Sequence, residues 1–363
     1  MSSASSPSPS EGLAALTLEL CRFPSVIREE AALCDWTEAR LRALGTVDVF
    51  RVGNSVVARG PRRSRPFLGL FGHLDTVPAH PGDPEPFRDG DRIVGLGSSD
   101  MKSGVAIKLA LLDELDLEAL PYDVAMVFYD QEEGPFAANG LGPVLDQLPW
   151  LAELDLGFCL EPSDNVVQVG AVGTLHANIV FQGRACHSAR PWQGENAVHK
   201  AGALLAELHN RAPNEVECGG FRFREVMSAT LASGGRARNI IPEHFELNVN
   251  YRFAPNRSVE SAREELLGTV AGRAEVEFVD LCPAGRVVTD NPHLKHFLAL
   301  TGASITAKQA WTDVARLTAA GIDAVNLGPG LSSQAHQAGE YCSVKLLEEG
   351  YAMFRALLTA PVA

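Results

Sequence analysis

The sequence predicts an α/β protein with a largely parallel sheet in a discontinuous main domain, interrupted by an inserted α+β domain. Short, nearly all-apolar strands alternate with helices up to about residue 172, apolar and polar residues then alternate, and the all-apolar type of strand returns at 324–327. Strands buried on both faces are typical of parallel sheets, whereas alternation is typical of a sheet with one wet face. We expect a disordered tail at 1–11, a main domain of 12–172 and 285–363, and an inserted domain of 173–284.

The elements of the main domain follow from apolar spacing. Helical periodicity predicts helices over 13–21, 29–44 and 104–115, and Gly45 is a stop signal for the second. Alternating residues predict strands over 46–51 and 54–58. Short apolar runs predict buried strands over 67–71, 122–129 and 156–160.

The inserted domain has a different pattern. Residues 173–182 and 243–253 alternate like strands with one solvated face, and helices are predicted over 197–210 and 258–269. The order is strand, helix, strand, strand, helix, strand. This βαββαβ arrangement is similar to a ferredoxin-like sandwich.

Composition narrows the functional classes. The chain has 363 residues, which exceeds the usual size of a domain built on a single hydrophobic core. Its net charge of −14 argues against nucleic-acid binding. It contains no apolar run of the ~18 residues that a membrane span requires. Seven dispersed cysteines without a C-x-x-C pair indicate reduced thiols, and the first eleven residues do not resemble a signal peptide. We therefore expect a cytoplasmic protein.

Potential metal ligands follow the buried strands. Ligands of an open α/β sheet bind beyond the carboxyl ends of its strands. Three strands end in such residues and two loops add more, giving the set His73, Asp100, Glu132, Glu133, Glu161 and His336. A lone loop histidine or a glutamate pair after a strand is usually a solvated surface feature. Their concentration at one edge of a sheet instead predicts a metal site.

Two histidines and three carboxylates suit Zn²⁺, with Mn²⁺ or Co²⁺ as alternatives. One carboxylate can bridge two ions about 3.5–4 Å apart, as in aminopeptidase-type hydrolysis. Asp75, two residues after His73, could accept the proton on the far imidazole nitrogen, or it could be a turn or N-cap residue. Of Glu132 and Glu133, we expect one to bind metal and the other to act as general base.

Five segments together resemble the M20 metallopeptidase and deacylase family: GHLDTVP (72–78), GSSDMKSG (97–104), DQEEG (130–134), LEP (160–162) and GPG…AH (328–336). The likeness runs from about residue 12 to the C-terminus. Further stretches are similar to actinobacterial-type succinyl-diaminopimelate desuccinylases, namely GTLHA (173–177), ACHSARPWQGENAVH (185–199), NIIPEHFELNVNYRFAPNRSVE (239–260) and WTDVARL (311–317). The resemblance implies a zinc-aminopeptidase-like catalytic domain and an inserted lid and dimerisation domain.

The resemblance also implies roles for these residues in a site that holds two Zn²⁺ ions. His73 and Glu161 would hold one ion, Glu133 and His336 the other, and Asp100 would bridge them. Glu132 would be the general acid and base, with Asp75 orienting His73. The Asp100–Met101 peptide is expected to be cis.

Residues of the inserted domain enter through the same resemblance. His187 would reach the partner subunit's site in a homodimer and stabilise an oxyanion. Asn239 and Arg252 would bind substrate, Arg252 through a carboxylate. Without the resemblance, Arg252 would be interpreted as an exposed strand residue paired with a glutamate. His80 and His176 receive no role.

The implied activity is hydrolysis of N-succinyl-LL-2,6-diaminopimelate to succinate and LL-2,6-diaminopimelate in lysine biosynthesis. The alternative is a related deacylase acting on N-acetyl-ornithine, N-acetyl-lysine or an acylated amino acid or dipeptide. A binding protein that had lost catalysis would be expected to lack a ligand or the base. Glu132, Asp100, His73 and His336 are all residues competent for these roles.

Overall fold

The structure is a computed structural model that describes residues 9–362. The chain divides into two compact units, described separately below. The larger unit comprises the chain up to Val169 with 288–306 and the stretch from Thr312 onward; the smaller unit comprises 170–287 and 307–311. Residues 1–8 of the predicted tail lie outside the described residues. The tail prediction is wrong for residues 9–11, because the first helix begins at Pro9.

The helices of the described chain, in order, are α1 (Pro9–Cys21), α2 (Ala31–Leu44), α3 (Ser103–Glu114), α4 (Leu141–Gln147), α5 (Ala197–Lys200), α6 (Gly202–Asn210), α7 (Val259–Val270), α8 (Pro292–Thr301), α9 (Val314–Ala319) and α10 (Val344–Thr359). None of the helices in this part of the chain is long and apolar enough to cross a membrane.

The strands are β1 (Asp48–Val52), β2 (Ser55–Arg59), β3 (Phe67–His73), β4 (Phe87–Asp89), β5 (Arg92–Val94), β6 (Asp123–Tyr129), β7 (Leu156–Cys159), β8 (Val167–Val169), β9 (Gly173–Gln182), β10 (Asn214–Cys218), β11 (Phe221–Gly234), β12 (His244–Phe253), β13 (Glu275–Cys282), β14 (Ile305–Ala307), β15 (Ala324–Asn326) and β16 (Tyr341–Ser343).

The larger unit is built on an eight-stranded sheet in the order β1-β2-β6-β3-β7-β15-β8-β14. Its centre is parallel, because β3 pairs in parallel with β6 and β7, and β7 with β15. On one side of this centre, β2 pairs antiparallel with β6, and β1 pairs antiparallel with β2. The prediction of a mixed, mostly parallel sheet is confirmed, and the carboxyl ends of β3, β6, β7 and β15 meet at one edge.

Helices cover both faces of this sheet, which explains why its central strands are apolar throughout. On one face, Phe71 and Cys159 pack with residues of α4 and α9 in a continuous buried cluster. On the other, the ring of Phe158 lies 5.4 Å from those of Phe297 on α8 and Phe354 on α10. Consecutive residues of β7 thus enter opposite layers, as the strand pleat requires.

The smaller unit is an antiparallel sheet in the order β10-β11-β12-β9-β13. Its helices α5, α6 and α7 cover one face, with Leu204, Leu247 and Leu266 among the buried residues between the layers. The strands β9, β11, β12 and β13 occur where the ferredoxin-like pattern predicts them, but β10 is an additional edge strand paired with β11. Its sequence, NEVEC, contains two apolar residues, Val216 and Cys218, and both are only partly buried, so the alternation is too short to predict a strand.

A third, small sheet in the order β16-β5-β4 was not predicted, because its three-residue strands are too short to show periodicity. β16 pairs with β5 from Tyr341 to Ser343. This pairing brings the chain just after His336 back to the segment that precedes Asp100.

Candidate functional site

His73 is the last residue of β3 and is 1% exposed. Its Nδ1 lies 3.0 Å from the backbone oxygen of Asp75, and its Nε2 lies 3.2 Å from Oδ1 of Asp100. With Nδ1 donating to the carbonyl, Nε2 of the neutral ring presents a lone pair to a carboxylate. A proton or a metal cation between the two atoms is needed to make that contact favourable. Burial alone would lower the pKa of His73, but Asp100 and Asp75 raise it well above its ordinary value.

Asp100 lies in the turn formed by residues 97–102, where its own backbone is extended rather than helical (φ −120°, ψ 91°), and its peptide bond to Met101 is cis, as the resemblance implies. One carboxylate oxygen faces His73, and the other lies 3.6 Å from Nε2 of His336. The two oxygens of a single carboxylate therefore face two different imidazoles. This is the arrangement required of a bridging ligand.

His336 follows β15 in a loop and has a left-handed backbone, with φ of +60°. Its Nε2 lies 2.7 Å from Oε1 of Glu133. This hydrogen bond, opposed by burial, raises the pKa of His336 to about 9. Within residues 9–362, His73, Asp100 and Glu133 form a group whose ligand atoms all lie within 4.8 Å of one another. Two imidazoles with two carboxylates suit a divalent cation that accepts nitrogen and oxygen ligands.

Two glycines allow the segment that leads to His336 to run against the backbone beyond β7 and against the Asp100 turn. A Cβ at Gly328 would lie 2.3 Å from the carbonyl oxygen of Leu160, and one at Gly330 would lie 2.1 Å from that of Ser99. No side chain fits at either position. The Gly-Pro-Gly motif is thus explained by close backbone approach.

Glu161, two residues beyond β7, is 5% exposed. Its charge contributes to the raised pKa values of both His73 and Glu132. Burial first, and then Glu161, raise the pKa of Glu132 well above its ordinary value. The structure therefore gathers the predicted ligands of the larger unit and the predicted base at one sheet edge.

Asp75 has a second function that the sequence analysis missed. Its fully buried carboxylate accepts hydrogen bonds from the backbone N–H groups of Glu132 (3.0 Å) and Glu133 (2.9 Å). Oδ1 also lies 3.5 Å from Nδ1 of His73. Asp75 therefore fixes the Glu132-Glu133 turn and also faces the far nitrogen of His73. The sequence analysis predicted only the contact with His73.

Glu340 and His80 are further residues that the sequence analysis did not assign. Glu340 is 3% exposed and accepts backbone hydrogen bonds from Gly97, Ser99 and Asp100, and burial raises its pKa to about 7. Nε2 of His80 lies 3.1 Å from the backbone oxygen of His336. No pattern in the sequence marks either residue, because each contacts a segment more than 200 positions away.

The three remaining predicted residues lie in the smaller unit. His187 pairs with Ile240 in an isolated β-bridge, and the N–H of Ser188 donates to the carbonyl of Asn239 at 2.9 Å. The structure thus brings His187 and Asn239 onto adjacent segments. Arg252 lies on β12 and donates from Nε to Oδ1 of Asn250 at 3.0 Å.

Within the part of the chain that the structure describes, Arg252 does not form the ion pair with a glutamate that would be expected of an ordinary exposed strand residue. Burial lowers its pKa, and among the described residues no carboxylate forms an ion pair with it. Its remaining guanidinium donors are available to an anionic ligand.

Comparison with known proteins identifies relatives along most of the chain. The family model for peptidase family M20/M25/M40 matches residues 69–360. The chain is 35% identical to a succinyl-diaminopimelate desuccinylase of Corynebacterium glutamicum over 95% of both chains. It is 39% identical to a Mycobacterium tuberculosis protein provisionally named for the same activity, over 88% of this chain and 90% of that protein.

Solved structures resemble the fold. A tripeptidase from Staphylococcus aureus matches 96% of this chain and 98% of its own with a TM-score of 0.78 and 20% identity. A dinuclear metal-binding M20 peptidase from Bacillus subtilis matches 98% of each chain with a TM-score of 0.67 and 17% identity. The architecture is that of M20 peptidases.

Proposed function

The chain belongs to peptidase family M20/M25/M40 and is a metal-dependent hydrolase, and we propose that it hydrolyses N-succinyl-LL-2,6-diaminopimelate to succinate and LL-2,6-diaminopimelate. The names of its relatives at 35% and 39% identity support this substrate. The observation that carries the reaction type is the Asp100 carboxylate, whose two oxygens face His73 and His336.

We propose that the site holds two Zn²⁺ ions, one on His73 and Glu161 and one on Glu133 and His336, with Asp100 shared. Bound there, the ions would polarise the succinyl amide carbonyl and lower the pKa of water. The ligand atoms of His73, Asp100 and Glu133, which all lie within 4.8 Å of one another, support metal binding at this place.

Glu132 is the proposed proton carrier. Its side chain accepts a proton from the attacking water and delivers it to the nitrogen of the departing amine. Asp75 supports this role by holding the backbone of Glu132 and Glu133. Because the backbone of Glu132 is held in place, its carboxylate keeps a constant orientation relative to a bound substrate.

The smaller unit supplies the remaining proposed contacts. Arg252 and Asn239 bind substrate, Arg252 through a carboxylate of the diaminopimelate or succinyl part. His187 stabilises the oxyanion in the partner subunit's site of a homodimer formed through this unit. The dispersed cysteines support a cytoplasmic location for the enzyme.

The proposal is tested by measuring turnover with succinyl-diaminopimelate and N-acetyl-ornithine on the same preparation, together with its metal content. We expect turnover of the first substrate, loss of it on chelation and recovery with Zn²⁺. Activity on N-acetyl-ornithine alone would overturn the substrate, and full activity after complete metal removal would overturn the mechanism.

A further inference from the structure

Glu340 accepts three backbone hydrogen bonds from the Asp100 turn. Its Oε2 accepts from the N–H of Gly97 at 2.7 Å, and its Oε1 accepts from Ser99 at 2.7 Å and Asp100 at 2.8 Å. Three short bonds from backbone donors to one buried carboxylate define the path of residues 97–100. The direction of the Asp100 side chain depends on that path.

Glu340 is itself firmly anchored. Its carbonyl accepts a hydrogen bond from the N–H of Gly95 at 2.9 Å, and the next residue begins β16, which pairs with β5. The hydroxyl of Ser99 adds a second tie, donating to the carbonyl of Tyr341 at 2.7 Å and accepting from the N–H of Leu331 at 3.0 Å. The segment 331–341 therefore holds the Asp100 turn at several points.

The same segment carries His336, four residues before Glu340. Asp100 and His336 are proposed ligands of one ion, so their relative position decides how well that ion is held. Glu340 joins the two ligand-bearing segments directly. A residue needed only to fold β16 would not require a charged group directed at the Asp100 turn.

We propose that Glu340 is a positioning residue that fixes Asp100 relative to His336 for metal binding. This inference rests on the proposed metal site. Glu340 is not assigned a contact with substrate or with the ions; it acts through the backbone of residues 97–100.

The test compares the wild type with Glu340→Gln, which keeps the shape but presents an NH₂ group to at least one of the three N–H donors. Glu225→Gln is the matched control, because Glu225 is also a buried glutamate that accepts a backbone N–H, but it lies in the smaller unit. Metal-free proteins are titrated with Zn²⁺ against a chromophoric chelator. Hydrogen exchange of the amides of residues 97, 99 and 100 is measured without metal.

We expect Glu340→Gln to bind Zn²⁺ about 10–100-fold more weakly and to exchange these three amides faster, whereas Glu225→Gln keeps wild-type values for both. Wild-type affinity and amide protection in Glu340→Gln would overturn the inference. A wild type that binds no Zn²⁺ would instead overturn the proposed metal site. If Glu340→Gln does not fold, the shorter Glu340→Asp is measured in its place, and unchanged affinity there would equally contradict the proposal.

A polar ladder in the smaller unit carries a second inference independently. On β9 and β12, His176 lies opposite Asn250, and Thr174 lies opposite Arg252. Asn250 accepts from Nε of Arg252 at 3.0 Å and donates through Nδ2 to Nε2 of His176 at 2.8 Å and to Oγ1 of Thr174 at 3.1 Å. Nδ1 of His176 then donates to Oδ1 of Asn248 at 3.1 Å. Donors and acceptors alternate consistently along the ladder.

We infer that Asn250, held by His176, is a positioning residue for the guanidinium of Arg252, which gives His176 of the GTLHA motif a role. The inference rests on the proposed binding of a substrate carboxylate by Arg252. Asn178→Ala is the matched control, because the side chain of Asn178 accepts a hydrogen bond from Asn248 at the far end of the ladder, away from Arg252.

We expect Asn250→Ala to raise KM for succinyl-diaminopimelate about tenfold with kcat nearly unchanged, and Asn178→Ala to leave both values unchanged. An unchanged KM in Arg252→Ala would overturn the substrate-binding role of Arg252. A raised KM in Arg252→Ala with an unchanged KM in Asn250→Ala would overturn the ladder. If circular dichroism shows that Asn250→Ala is misfolded, the KM of His176→Phe is compared with that of wild type in its place.

Discussion

Replacing Asp75 with asparagine separates its two contacts with the candidate site. The carboxylate accepts one hydrogen bond at each oxygen, from the N–H groups of Glu132 and Glu133, and it is fully buried. An asparagine side chain has only one oxygen, so its NH₂ group must face one of the two N–H donors. The bond from His73 to the backbone oxygen of residue 75 does not depend on the side chain.

The magnitude follows from these contacts. Leaving a buried N–H without its charged acceptor costs about 1–3 kcal/mol. Part of this cost can be relieved by movement of the Glu132-Glu133 turn, which displaces the proposed base and a proposed ligand. We expect kcat/KM to fall about 10–100-fold, the range typical of residues that orient metal ligands.

The assay combines kcat/KM for succinyl-diaminopimelate, Zn²⁺ affinity and the free energy of unfolding in urea. Asp123→Asn is the control, because Asp123 is a buried aspartate at the opposite end of β6 and accepts hydrogen bonds from Arg62 and from the N–H of Arg63. It should lose stability without loss of kcat/KM. An Asp75→Asn enzyme that is destabilised but retains wild-type kcat/KM and Zn²⁺ affinity would refute the positioning role.

Three further predictions concern the base, the substrate and the fold. Glu132→Gln should lower kcat about 10²–10⁴-fold at unchanged Zn²⁺ content, because it removes the proton carrier; undiminished kcat at full metal loading would contradict that role. Arg252→Lys should raise KM more than it lowers kcat, since an ammonium lacks the guanidinium's two parallel donors, and steady-state kinetics against substrate concentration measures both. Burial would raise the pKa of Glu225, but hydrogen bonds from Arg257, Asn214 and the N–H of Ala254 hold it below its ordinary value. Its contribution to stability is therefore present above the unfolded pKa of about 4.3 and is lost as pH falls through the lower folded pKa. Glu225→Gln should lower the free energy of unfolding by roughly 2–3 kcal/mol at pH 7, and urea unfolding should show this difference from wild type shrinking toward pH 3. A difference that does not change with pH would show that the ionised form of Glu225 is not the stabilising one.

Much of the candidate site could be predicted because the chain alternates buried strands with polar loops. A strand such as β3 is apolar to its end, so the abrupt change to His73 and Asp75 marks the sheet edge. Parallel pairing then places the ends of β3, β6 and β7 side by side. The pairing of His336 with Glu133 and the facing of Asp100 toward both histidines lie beyond what spacing shows, although the resemblance implies them.

The elements that were missed share a physical property. The strands β5, β10 and β16 are short or lie at solvated edges, so too few of their side chains are buried to produce a periodic pattern. Their positions depend on backbone pairing with distant segments, such as Tyr341 with Val94. Propensity and periodicity describe neighbours in the chain and carry no information about such partners.

The two kinds of sheet, the residues able to bind metal and the family could be predicted from the sequence, because burial on one or both faces and the chemistry of each side chain are local properties. The contacts that hold those residues in place are formed between distant segments and follow from the folded structure. The carboxylate of Asp75 accepts the backbone N–H of Glu132, 57 positions away. The carboxylate of Glu340 accepts the N–H groups of Gly97, Ser99 and Asp100, which lie at least 240 positions away. A backbone N–H is the same group at every residue except proline, so the sequence cannot show which ones a buried carboxylate will bind until the chain has folded.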